Sequence, residues 1–400
     1  MTFVLNDEIV NVAPLDGTVF PEPKSHCYAV QVQDTAQALS YILALRDAGA
    51  GVFPIHPDIP RCQAQGMAAQ AGCDLLLTED GVASISEASH HIGGGVLVQM
   101  SSGTTGAPKV ITRRWESIQL EIETYARTFD TAAHMTPVIA CPITHSYGLI
   151  AGVMVGLQRG RVPVILNSIN PKFILRRLAE VQNPLLYSSP AMLHMLASFL
   201  PDNHSIHAAM TSGTVLSQPW FEKIRGKTDH LFQQYGCSEI GCIAINPDLQ
   251  DPSEMGIPLP HLSVSAGIDD PGPIMVNGVA TGDLGQFRSD GMLRFISRQD
   301  DVIDVAGLNV YPNEIEEVAM TMTGVNDAIV FRIDDALAGQ RVGLVFDGPA
   351  QSEALRGWLT HRLAPYQVPT EIHTVPRIPR QENGKINRRD VARKFAEAAQ

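Results

Sequence analysis

Short, almost wholly apolar runs alternate along the first 240 residues with stretches in which apolar side chains return every three or four positions. Runs of the first kind read as strands buried on both faces, and the second as helices with one buried stripe. Residues 28–32 read as a strand. Asp34 then stands as the N-cap of a helix that carries Ala38, Leu39, Ile42 and Leu45 on one face and stops at Gly49. A strand at 50–55, a helix over 62–71 and a strand at 75–78 continue the rhythm. The run 96–100 reads as another buried strand, followed by a polar loop and an amphipathic stretch from Trp115. Further strands are expected at 137–140, 162–166, 185–187, 208–211 and 231–234, with helices between them. This alternation predicts a layered α/β lobe built on largely parallel sheets. The first 25 residues, rich in proline, show no period and predict irregular chain.

Near Gly267 the texture changes. Asp269-Asp270-Pro271-Gly272-Pro273 and shorter strand-like runs predict a small β-rich subdomain at about 250–299. The last hundred residues then follow a pattern of their own. Asn313 and Glu316 read as a capping pair for a helix ending at Gly324. Strands are expected at 328–333 and 342–347, and Ser352 as the cap of a helix carrying Leu355, Trp358, Leu359 and Leu363. The expected organisation is a large lobe, 1–299, and a small mobile α+β domain, 300–400, with Asp300 at the joint. A chain of 400 residues exceeds what one core usually supports, in keeping with that division.

Composition narrows the function. A formal net charge of −13 and the lack of any basic run argue against a nucleic-acid surface. The longest apolar stretch, 148–157, is too short to span a bilayer, so no membrane partner is expected. Residues 1–8 lack the basic start and apolar centre of a signal peptide. The six cysteines, at 27, 62, 73, 141, 237 and 242, show neither a CxxC pair nor metal-ligand spacing. Free thiols in a reducing cytoplasm account for them most simply.

The chemistry concentrates first at Ser101, Ser102, Gly103, Thr104, Thr105, Gly106, Ala107, Pro108 and Lys109. Glycines let backbone N–H groups approach a phosphate, hydroxyls donate further hydrogen bonds, and the lysine adds charge. No Gly-Lys-Ser/Thr follows at Walker spacing. The loop closely resembles the phosphate loop of the adenylate-forming superfamily, which includes acyl- and aryl-CoA ligases, peptide-synthetase adenylation domains and firefly-type luciferases. Other elements resemble that family in its own order. They are 46–57, His145-Ser146-Tyr147-Gly148-Leu149, Thr211 to Leu216, Tyr235-Gly236-Cys237-Ser238-Glu239, Thr281-Gly282-Asp283-Leu284, Arg298 to Glu316, and Pro379 to Arg388.

The resemblance implies roles. Tyr235 stacks on adenine, beside Gly236 and the backbone of Gly213 and Thr214. Ser238 reaches a phosphate and Glu239 holds Mg²⁺. Asp283 and Arg298 bind the ribose. Lys109 and the hydroxyl loop hold the outer phosphates. Lys385 bridges the acid and the α-phosphate, and Asp300 is the hinge. His145, Ser146, Tyr147 and Gly213 line the acid pocket, and Gly307 and Asn309 line a tunnel for the thiol.

Some features depart from the family's usual pattern. Ser238 replaces a threonine, Ser212 and Ser297 replace glycines, and the phosphate loop comes early. Glu239 and Asp283 also stand closer together than usual, so a trimmed large lobe is expected. The implied activity is conversion of an aryl or medium-chain acid with ATP to acyl-AMP, then transfer to a thiol. The spelling from Gly307 to Glu316 favours CoA as the acceptor. One alternative is an enzyme that loads the acid onto a carrier protein's phosphopantetheine arm; another is a non-catalytic relative that binds nucleotide or acid. Amino acids are disfavoured as substrates, because the pocket elements show no carboxylate to hold an α-amino group. Sequence leaves the oligomeric state open.

Overall fold

A computed structural model describes residues 1–20, 22–85, 90–101, 109–168, 170–335, 339–378 and 388–396, with only the backbone of Ser101 and Ala396. Ser102, Gly103, Thr104, Thr105, Gly106 and Lys385 therefore lie outside the described residues, as does the side chain of Ser101. The chain divides into two compact units. The first is 1–212 with 228–243 and 259–261, and the second is 213–227, 244–258 and 262–400.

The first unit holds two sheets. In chain order its strands are β1 (Thr2–Leu5), β2 (Glu8–Asn11), β3 (Cys27–Val30), β4 (Gly51–Pro54), β5 (Leu75–Thr78), β6 (Gly81–Ser84), β7 (Val96–Ser101), β8 (Lys109–Arg114), β9 (Thr136–Ala140), β10 (Val164–Ile165), β11 (Pro184–Ser188), β12 (Ile206–Thr211) and β13 (Thr228–Cys237). One sheet runs β6-β5-β3-β4-β7-β8, parallel at its centre and antiparallel at both edges. The other runs β2-β1-β10-β9-β11-β12-β13, parallel throughout except for β1 with β2. The helix Thr35–Asp47 is capped as its sequence dictates, with Asp34 accepting from the N–H of Gln37 at 2.7 Å.

Residues 2–11 are not irregular, whereas 12–20 hold neither strand nor helix, as expected. β1 and β2 form a hairpin around Asn6, whose φ of 53° lies in the left-handed region that asparagine tolerates. Phe3 is fully buried. Four-residue strands are too short to show a period, which is why composition misled. The strand expected at 162–166 shrinks to β10, since Pro163 offers no N–H to the sheet and Val162 is exposed.

The second unit carries β14 (Gly241–Asn246, from Ala244 onward), β15 (Glu254–Pro258), β16 (Val264–Ser265), β17 (Gly272–Val276), β18 (Val279–Phe287) and β19 (Leu293–Arg298). These pair antiparallel in the order β14-β15-β19-β18-β17-β16, the expected β-rich part. A further sheet follows from β20 (Ile303–Val305), β21 (Leu308–Val310), β22 (Asp327–Asp335), β23 (Gly339–Asp347) and β24 (Glu371–Val375). Ile315, Val330, Leu344, Phe346, Leu355 and Leu359 pack its core against the helices Pro312–Met320 and Ser352–Thr360.

Two expected caps differ from the structure. The helix at 312 begins with Pro312 at its first position behind Tyr311 and ends at Met320, so Asn313 lies inside it. Asn313 and Glu316 instead accept hydrogen bonds from Arg388, a stronger partner than a helix-end amide. Ser352 is the first helical residue rather than the cap, and its Oγ lies 3.3 Å from Thr374 Oγ1.

Phe3→Ala tests whether the N-terminal hairpin belongs to the first unit. It should destabilise that unit by about 3–5 kcal/mol, the usual cost of emptying a phenylalanine site. The lowest unfolding transition in calorimetry reads it; an unshifted transition would mark the hairpin as dispensable.

Candidate active site

In the first unit, β7 and β8 pair antiparallel as far as Ser101 opposite Lys109, so residues 102–108 connect them. Lys109 is thus the first residue of β8. Its Nζ lies 3.4 Å from Glu239 Oε1. Both side chains are well exposed, and such a pair adds only about 0–1 kcal/mol to stability. Its significance is placement: a cation and a hard carboxylate oxygen stand at one end of the loop. Among the described residues no group of three or more His, Cys, Asp or Glu side chains could hold a metal. One carboxylate suits Mg²⁺, which is commonly held by one or two carboxylates, water and the substrate's phosphates.

Glu239 sits in the turn between β13 and β14. That turn is built on close backbone approach: a Cβ on Gly236 would lie 2.2 Å from the carbonyl oxygen of Gly241. Gly241 has a φ of 97°, and a Cβ there would strike Glu121 and Arg113. Those two form a buried ion pair beneath the turn, and Glu121 Oε1 accepts the N–H of Cys242 at 2.8 Å. Tyr235 is buried, whereas Gly236, Ser238 and Glu239 are exposed. Neither Arg113 nor Glu121 was legible as functional. The usable signal was alternation, which places Arg113 on the inward face of β8 with Ile111.

His145, Ser146 and Tyr147 follow β9. Ser146 Oγ donates to Gln99 Oε1 on β7, a residue that sequence reading missed. Tyr147 opens a π-helical segment, Tyr147–Met154, a form often found at functional sites. Its hydroxyl donates to the carbonyl of Met210 at 2.5 Å, with that of Ser188 3.4 Å away. Burial first, then Cys141 and Tyr187, raise its pKa well above the ordinary phenol value, so it stays protonated. The ring of Tyr187 meets it edge-on at 5.7 Å. His145 is exposed.

In the second unit, Asp283 on β18 stands directly opposite Arg298 on β19. Arg298 Nη1 lies 2.8 Å from Asp283 Oδ1, and the carboxylate is nearly buried. Burial works against the Arg298 charge, but Asp283, with Asp301 and Asp300, offsets it and raises the pKa. Gly282, at φ 78°, leaves room for that guanidinium. Gly213, at φ 94°, is exposed and Thr214 half-buried. Gly307 lies in the two-residue turn of the β20–β21 hairpin, with Ala306 at φ 53° and Gly307 at 86°, and Asn309 is exposed just beyond. Asp300 is exposed in the single helical turn Gln299–Asp301.

Residues 95–284 match the family model described as AMP-binding enzyme, and 314–385 match the AMP-binding enzyme C-terminal domain. The chain is 35% identical over 378 residues to a 3,4-dihydroxybenzoate–[aryl-carrier protein] ligase of Bacillus anthracis, covering 92% of each chain. It is 26% identical over 336 residues to a 2-succinylbenzoate–CoA ligase of Bacillus licheniformis, covering 75% of this chain and 70% of that one. Among solved structures, ATP-bound MatB from Rhodopseudomonas palustris shares the fold with a TM-score of 0.84 at 20% identity, covering 96% of this chain and 91% of that one. No helix among the described residues is long and apolar enough to cross a membrane.

The two ion pairs should respond differently to truncation. Lys109→Ala should leave stability within about 1 kcal/mol yet slow acid-dependent pyrophosphate release by roughly tenfold or more. Glu121→Ala strands a buried guanidinium and should cost about 3–5 kcal/mol. Denaturant melts beside turnover measurements separate the two; equal stability losses would overturn the distinction.

Proposed function

Because the chain belongs to the AMP-binding, adenylate-forming enzyme family, we propose that it activates a small aromatic acid with ATP and loads it onto a carrier protein's phosphopantetheine thiol. One observation carries this reading: identity to an aryl-carrier-protein ligase runs across nearly the whole chain, well above that to the CoA ligases. CoA as acceptor is the second reading, kept because Gly307 to Glu316 follows the CoA-ligase spelling.

The chemistry has two steps. A carboxylate oxygen attacks the α-phosphorus of ATP, pyrophosphate leaves, and a mixed anhydride forms. The thiol sulfur then attacks the acyl carbon, loses its proton and displaces AMP, leaving a thioester. The first step rests on positioning and charge neutralisation. We assign Lys109 and the loop residues 101–106 to the outer phosphates and Glu239 to Mg²⁺, which would neutralise phosphate charge when bound. Ser238 is assigned to a phosphate, and Tyr235, Gly236, Gly213 and Thr214 to adenine. Asp283, oriented by Arg298, is assigned to the ribose hydroxyls. His145, Ser146, Tyr147 and Gly213 are assigned to the acid pocket, and a phenol ring beside Tyr187 suits an aromatic acid. Lys385 bridges carboxylate and α-phosphate. The part from Asp300 onward then turns, and Gly307 and Asn309 flank the incoming thiol arm.

Pyrophosphate release across hydroxybenzoates, fatty acids and amino acids tests the acid. Hydroxybenzoates should lead. Thioester formation should then favour a phosphopantetheine-bearing aryl carrier protein over CoA by at least about 100-fold in kcat/KM. Equal or better use of CoA establishes the second reading instead. Asp300→Pro fixes φ near −65° and restricts Gln299. It should keep acyl-AMP formation while slowing thioester formation by roughly tenfold or more. Equal loss of both steps, with circular dichroism unchanged, would remove Asp300 as the hinge.

A further inference from the structure

Gln99 stands inside the apolar run of β7. Leu97 and Val98 before it are fully buried, and Gln99 itself is only 8% exposed. Across the sheet it lies opposite the buried Ile111 of β8. A leucine or valine would pack at such a position without cost, whereas a carboxamide needs partners for two donor hydrogens and an acceptor. The acceptor has one, because Oε1 takes the proton of Ser146 Oγ. Neither hydrogen on Nε2 meets an acceptor among the described residues. That nitrogen is not sealed in, as the Tyr28 hydroxyl is, and it keeps surface open to whatever enters beside it. A nearly buried amide with two spare donors costs free energy until something supplies an oxygen.

The surroundings select the kind of oxygen. Ser146 leads directly into Tyr147, and Cys141 lies on the same segment after β9. Burial pushes the Cys141 thiol up to about 12 and holds the Tyr147 phenol well above its ordinary range. Two separate side chains thus mark a space that disfavours negative charge. Among the described residues no lysine or arginine bonds to the side chains of Gln99, Ser146 or Tyr147. A carboxylate resting on the Gln99 amide would therefore lack a counter-charge in a poorly solvated place. A neutral oxygen carries no such penalty. On an aromatic acid, a ring hydroxyl supplies it.

We propose that Gln99 is a specificity-determining residue: its Nε2 donates to a hydroxyl on the ring of the acid, and Ser146 holds the amide with that nitrogen toward the substrate. The inference rests on the aromatic-acid reading above. Without Ser146 the amide can turn over and present its oxygen to the ring instead. A site built to hydrogen-bond a substrate hydroxyl discriminates against the analogue that lacks it, since its own polar group is then left unpaired.

The test uses the full-length chain and kcat/KM for acid-dependent pyrophosphate release with benzoate and with 2-, 3- and 4-hydroxybenzoate. Gln99→Leu, Gln99→Glu and Ser146→Ala are compared with the parent, beside KM for ATP and a thermal melt. The parent should favour its best hydroxybenzoate over benzoate by about 100-fold. Gln99→Leu should cut that ratio to about threefold or less, the loss falling on the hydroxylated acid and KM for ATP unmoved. Ser146→Ala should cut it by about fivefold. Gln99→Glu offers acceptors only and should lose the preference as fully as Gln99→Leu. A ratio near one in the parent, an unchanged ratio in Gln99→Leu, or a preference kept by Gln99→Glu would each overturn the proposal. Equal losses on benzoate and hydroxybenzoate would do so too, since a merely structural amide, or one that holds the carboxylate, gives that result. If Gln99→Leu fails to fold, Gln99→Met carries the same comparison. A parent that releases pyrophosphate only with fatty or amino acids would instead overturn the aromatic-acid reading, and the inference with it.

Discussion

The ion pair between Arg113 and Glu121 ties together strand, helix and turn in the first unit. Arg113 belongs to β8, Glu121 to the helix Trp115–Thr128, and Glu121 also accepts the N–H of Cys242 on β14. Taking both charges out of water costs several kcal/mol per ion, and mutual attraction with that extra hydrogen bond offsets the cost. The geometry tolerates nothing larger than glycine at 241, because a side chain there would occupy the space of both charges. Lys109 and Glu239 meet above this buried pair without contributing much stability of their own. A costly interior contact thus underlies the turn from which the exposed Glu239 reaches Lys109.

Much of the architecture was legible because its signals are local. The apolar runs at β3, β4, β5, β7 and β11 and the cap at Asp34 each depend on a few neighbouring residues. What stayed hidden depends on partners remote in the chain. Asn313 has the spelling of a cap, yet a guanidinium 75 residues on claims it. Asp283 and Arg298 each carried a ribose role by resemblance. Their direct opposition is a matter of register, which no stretch of either strand encodes alone. Gln99 was concealed inside a run that reads as apolar, and its amide meets Ser146 only once β7 and the segment after β9 are brought together.

The hairpin β20–β21 shows how local and global demands diverge. Its two turn residues both need positive φ, and alanine occupies the first of them. Glycine or asparagine would sit there with less strain. The hairpin keeps its register through Asp304, whose Oδ1 accepts the N–H of Gly307 at 2.7 Å. The exposed Asn309 directly opposite Asp304 is therefore presented by a turn held from within.

The hydroxyl of Tyr147 owns a single proton, and that proton is already committed to a backbone carbonyl. Toward any group that comes to rest beside it, the oxygen can therefore act only as an acceptor. A neighbour that brings its own hydroxyl hydrogen completes the oxygen's bonding, whereas one offering only lone pairs meets repulsion. A side chain usually counted as a donor thus reads its surroundings for protons.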